Sequence, residues 1–94
     1  MYIQEGMRVS AENFDQRRGT VVCVDNEWIL VEFDDPFPGG HNGNREDGVD
    51  ICRDGHGWWF HNHDDGSLTI LSENDQEIGV VNISIGFDEL FQSL

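Results

Sequence analysis

The sequence predicts a small, mainly β fold: an antiparallel barrel, closed or half-closed, with one long loop and a short helix at the end. Three observations point there. The β-branched and aromatic runs are short and separated by Gly, Asp and Asn turns, two of them read as a tight hairpin, and helical spacing of apolar residues occurs only at the C-terminal end. Several short strands of this kind bury one apolar face each by wrapping around a shared core.

The elements follow in order. A first short strand is expected around residues 7–9, after a turn at Gly6, and "FDQRRG" reads as a loop closed by Gly19. "GTVVCVDNEWILVEF" then supplies the hairpin: a β-branched run over 20–24, a turn at Asp25 and Asn26, and a second run over 28–33. In that second run Ile29, Val31 and Phe33 alternate with Leu30 and Glu32, so one face is apolar and the other partly wet. Pro36 and Pro38 end the strand, because proline cannot donate to a ladder and biases its predecessor toward loop geometry.

From about 34 to 56 no regular pattern is visible. "GWWF" resumes as a strand, and a turn at Asp64, Asp65 and Gly66 leads into "GSLTILS", where Leu68 and Ile70 alternate with Thr69 and Leu71. "EIGVVNISIG" adds a sixth strand. In the closing "FDELFQSL", Phe87, Leu90, Phe91 and Leu94 fall at i, i+3, i+4 and i+7, and Asp88 and Glu89 suit the positive end of a helix dipole. A helix this short is not stable alone in water, so it packs on the barrel or on a partner.

Ninety-four residues accommodate one domain, spanning 1–94, and an apolar content of 37% is too high for a disordered acidic tail. The charge is the strongest compositional signal. Nineteen Asp and Glu stand against five Arg and no Lys, a formal net charge of -14. Binding to DNA, RNA or an anionic membrane relies on cationic side chains that neutralise phosphates, so direct nucleic-acid or membrane binding is not expected. A basic partner fits this charge, and so does simple solubility. Cys23 and Cys52 occur without a secretory signal or a membrane-length apolar run, and the expectation is a soluble, cytoplasmic protein with reduced thiols.

The succession "GMRV", "GTVVCVDNEWILVEFDD", "GGH", "DGHGWWF" and "LTIL" resembles the small SH3-like β-barrel proteins of bacteriophage genomes. The resemblance covers residues 6–71, and its most specific part is the pair Gly40-His41 and Gly55-His56 followed by Trp58-Trp59. Residues 72–94 form a C-terminal extension beyond it. The resemblance implies an SH3-like barrel and a phage origin, with the host cytoplasm as its place of action; it implies no particular activity and no functional residue.

A loop this long inside a small domain is more often functional than incidental. His41 and His56 each follow a glycine, and a histidine that both donates and accepts can bind the loop's own backbone. Cys52, His56, His61 and His63 are of zinc-ligating types, although C-x3-H-x4-H-x-H matches none of the structural zinc patterns. No third orienting group or oxyanion motif accompanies a Cys52 and histidine pair, so no catalytic site is expected. The D-x-D-x-D-G pattern of a calcium loop is also missing. Trp58 and Trp59 are adjacent, so on a strand one ring faces the core and the other the surface.

Two functional readings follow. In the first, the protein is a non-enzymatic phage-type inhibitor or interaction module. Asp34, Asp35, Glu46, Asp47, Asp50, Asp54, Asp64 and Asp65 present carboxylates to a basic, nucleic-acid-binding host protein, with Trp59 and Phe91 as apolar anchors. A defence nuclease such as a CRISPR effector, whose channel is lined with Arg and Lys, is the kind of target such nucleic-acid mimicry would block. In the second, the chain is a small-molecule or metal-binding barrel with a pocket under the loop, lined by His41, Arg53, His56 and Trp58. The first reading involves no cofactor.

Overall fold

A computed structural model describes residues 3–25, 28–43, 51–61 and 66–82. Six antiparallel strands occur in them: β1 (Arg8–Ala11), β2 (Arg17–Asp25), β3 (Trp28–Phe33), β4 (Gly57–His61), β5 (Ser67–Leu71) and β6 (Glu77–Asn82). They form one sheet in the order β4-β3-β2-β1-β5-β6. The first four strands are successive neighbours, and β5 then returns to the far side of β1, pairing Val9 with Ile70 and Ala11 with Leu68.

The predicted hairpin is β2 with β3, in register from Gly19 opposite Phe33 to Asp25 opposite Trp28, with an irregularity between Val21 and Cys23. That extra residue brings Val21 and Cys23, two apart in sequence, to opposite faces. Val21 pairs with Val31 on the core side and Cys23 with Leu30 on the other. The segment read as a loop from 14 to 19 is shorter than expected. Glu12–Phe14 form a single 3-10 turn, and Arg17, Arg18 and Gly19 already belong to β2. Asp15 and Gln16 reverse the chain between them at φ of 58° and 60°, held by a bond from the Gln16 amide to the Ala11 carbonyl.

Closure is where the expectation fails. The sheet is open, because among the described residues β4 pairs with β3 and β6 with β5, and the two end strands do not meet. The apolar face is covered instead by side chains from outside the strands together with Trp58 of β4. Val9, Ala11, Val21, Ile29, Val31, Phe33, Phe60, Leu68, Ile70 and Val81 pack together with Ile3 and Phe37, and Met7, Phe14 and Trp58 close over them. Phe14 is the hub of that cover, with ring centroids 5.4 to 5.7 Å from those of Phe33, Phe37, Trp58 and Phe60. Burying an aromatic side chain of this size contributes on the order of 2 kcal/mol, enough to hold a loop onto a sheet without strand pairing.

β6 lies within the segment read as an extension beyond residue 71, and it is the outermost strand of the sheet. The C-terminal helix expected over 87–94 lies outside the described residues, as do the turns at 26–27 and 62–65.

Candidate functional site

The loop after β3 is irregular but well organised where it is described. Phe37 enters the core, and its amide donates to the Gly55 carbonyl, joining the two arms of the loop. Gly40 lies so close to Gly55 that a Cβ on Gly40 would collide with the Gly55 carbonyl oxygen, so the arms meet only because Gly40 carries no side chain. His41 then exchanges backbone bonds with Gly57, at 3.1 and 2.7 Å, and adds a bridge to the outer edge of β4.

Both Gly-His pairs bind local backbone. The Gly43 amide donates to His41 Nδ1 at 2.9 Å, so that nitrogen is an acceptor and the ring proton sits on Nε2. His56 is the reverse case: its Nδ1 lies 2.8 Å from the Phe33 carbonyl, which can only accept, so Nδ1 carries the proton. The Phe33 amide in turn donates to the His56 carbonyl at 2.8 Å. These bonds fix where β3 ends and where the returning arm begins.

Trp58 and Trp59 divide as their adjacency predicts. Trp58 packs on the core with Phe14 and Phe37, while Trp59 faces the other side of the sheet. There the Trp59 Nε1–H donates to the Gly43 carbonyl at 3.1 Å, and its ring meets Trp28 edge to face at 6.5 Å. Trp59 is therefore half-buried and engaged in holding the loop. Leu30, on the same face, is fully buried, with Gly43 directly over it at φ +79°.

Of the acidic residues singled out in the sequence, Asp35 and Asp54 are exposed at the two ends of the loop. Asp34 is committed elsewhere: Arg8 grips it with two bonds, Nη1 to Oδ1 at 2.7 Å and Nη2 to Oδ2 at 2.8 Å. The same guanidinium bonds Asp75 through Nε at 3.0 Å and Thr20 through Nη1 at 3.2 Å. The hydrogen bonds from Arg8 hold both Asp34 and Asp75 below the usual carboxylate range, and the two acids raise the guanidinium pKa in return. This clamp was not legible in the sequence, since its three members lie far apart along the chain. Glu46, Asp47, Asp50, Asp64, Asp65 and Phe91 lie outside the described residues.

The other described arginines are also engaged within the molecule. Arg53 reaches Glu32 Oε1 at 3.4 Å while its amide donates to Glu32 Oε2 at 2.8 Å, Arg18 lies 3.8 Å from Asp75, and the Arg17 guanidinium sits 5.6 Å above the Phe37 ring. Between the turn at Gln16 and the exit of β3 is a cleft of about 370 Å³, lined by Gln16, Arg17, Arg18, Phe33, Asp34 and Asp35. His41, Arg53, His56 and Trp58 do not line it.

No group of three or more His, Cys, Asp or Glu side chains converges as a metal site among the described residues. Cys52 is buried, with its Sγ 3.9 Å from the His41 carbonyl, and His61 packs on Trp28 at 4.4 Å. His63 lies outside the described residues. Cys23 and Cys52 are not joined in a disulfide. No described helix is long and apolar enough to cross a membrane. Comparisons with family models, with curated proteins and with solved structures give no match to this chain.

Proposed function

We propose that this protein is a non-enzymatic interaction module whose acidic surface engages a basic, nucleic-acid-handling protein and occupies the place of nucleic acid on it. The observation that carries this reading is the way the few cations are used. With a net charge of -14 and no lysine, each described arginine has a partner within the molecule: Arg8 on Asp34 and Asp75, Arg18 near Asp75, Arg53 on Glu32 and Arg17 over the Phe37 ring. Exposed acids such as Asp35 and Asp54 are left to set the field outside the molecule. Such a field speeds association with a surface lined by Lys and Arg and weakens with salt.

A defence nuclease of the CRISPR type, met in the host cytoplasm, is the target class that best fits this mode of action, since its channels hold phosphates by the same cationic side chains. The order in which β1 to β4 follow one another and β5 returns beside β1 is compatible with an opened SH3-like arrangement. The test is retention of proteins from a bacterial lysate at low and at high salt, with the wild type beside a variant carrying Asp35, Asp47, Asp50 and Asp54 each changed to Lys. The wild type retains a basic nucleic-acid-binding protein that salt releases, and the variant retains none. Equal retention by the two would refute the acidic-surface reading.

A further inference from the structure

The two edges of the sheet are finished differently. β4 is bridged by His41 at Gly57, whereas β6 pairs with β5 and with nothing else described on its outward side. In an antiparallel strand, alternate residues direct their amide and carbonyl groups away from the paired neighbour, and those of β6 meet no partner strand among the described residues. That edge is flanked by apolar surface. Val80, opposite Thr69, is 53% exposed, and Ile78, the extra residue of a bulge near the start of the strand, is 63% exposed. No proline or lysine, the usual guards of an edge, occurs in "EIGVVN".

We propose that the edge of β6 docks an extended segment of a basic partner, which adds to the sheet as a further antiparallel or parallel strand. The inference rests on the acidic-surface reading above, because charge selects the occupant. Glu73 in the turn before β6 and Glu77 at its start are exposed, and the nearest guanidinium in the ladder, Arg8 opposite Leu71, is already neutralised by Asp34 and Asp75. The complementary segment alternates apolar side chains, laid over Ile78 and Val80, with Arg or Lys directed to Glu73 and Glu77. A second copy of this chain would bring another net charge of -14 to the same edge, which opposes self-pairing.

The experiment uses the full chain and two short synthetic peptides of alternating Arg and Val, one unmodified and one N-methylated at alternate amides so that it keeps the charge but cannot form a ladder. Binding is read by fluorescence anisotropy and location by amide protection. The unmodified peptide is expected to bind and to protect β6, and the N-methylated one to bind about tenfold more weakly, with a similar loss for an Ile78→Lys, Val80→Lys variant. Equal binding of both peptides to the wild type would overturn strand docking and leave the acidic-surface reading standing. Protection at β4 would place the site on the wrong edge, and a dimer abolished by the double substitution would make a second copy the occupant; either overturns the proposal. No binding of either peptide, with the lysate experiment still positive, would confine the failure to this proposal.

Discussion

The β4 and β6 edges of one sheet show how an exposed ladder can be closed or left available. Around β4 the loop closes one end of the edge, where His41 bridges Gly57, and covers the adjoining face, where the Trp59 indole holds the Gly43 carbonyl and Leu30 is sealed beneath Gly43. Around β6 nothing comparable occurs among the described residues, and Ile78 and Val80 are exposed. The difference lies in side-chain size and backbone freedom. Gly43 and Gly57 let the loop approach within backbone contact of β4, while the connection between β5 and β6 is only a short turn, residues 72–76.

This contrast can be broken most severely at Leu30. A Leu30→Ala substitution removes a fully buried side chain from beneath the loop, and it should cost about 2 to 5 kcal/mol, read as a lower urea midpoint. Next is Gly40→Ala, whose methyl meets the Gly55 carbonyl. Forcing the loop arms apart should cost about 1 to 3 kcal/mol and speed amide exchange at His41 and Gly57 while leaving β5 unchanged.

A third test concerns the Arg8 clamp, which ties the start of the loop to the turn before β6. Asp34 and Asp75 are held below their ordinary value of 3.8, so the unfolded chain binds more protons than the folded one in acid. Their stabilisation is therefore full above that value and is lost as the pH falls through and below it. Urea midpoints measured from neutral pH down to the acid range should decline for the wild type. They should decline less for Arg8→Met, which keeps much of the stem but gives the carboxylates no donor.

The smallest effect is expected at the open edge. Ile78→Thr and Val80→Thr should each change stability by no more than about 0.5 kcal/mol, since neither side chain is buried. A loss as large as that at Leu30 would mean that this edge is covered in solution and would remove the contrast.

Much of the sheet was legible in the sequence because alternation with a period of two is a local signal. Ile29, Val31 and Phe33, and again Leu68 and Ile70, reach the core as their spacing requires. The hairpin of β2 and β3 was legible for the same reason, and so was the division of Trp58 from Trp59. The role of Phe14 was not, because it lies in a polar stretch whose only signal is a lone aromatic residue. Nor was the engagement of Asp34, since a carboxylate bound by a distant guanidinium looks, in sequence, like any other solvated acid.

By itself, then, the sequence determined the charge of the surface, the number and type of the strands, and the alternation that gives each a buried face, all properties of neighbouring residues. Only the tertiary structure decided that the sheet stays open, that Phe14 and Phe37 cover its apolar side in place of strand pairing, and that Arg8 draws Asp34 and Asp75 together. Each of those depends on which segments, distant along the chain, meet when β5 returns beside β1. That meeting is settled by the packing of the whole core, and no local pattern encodes it.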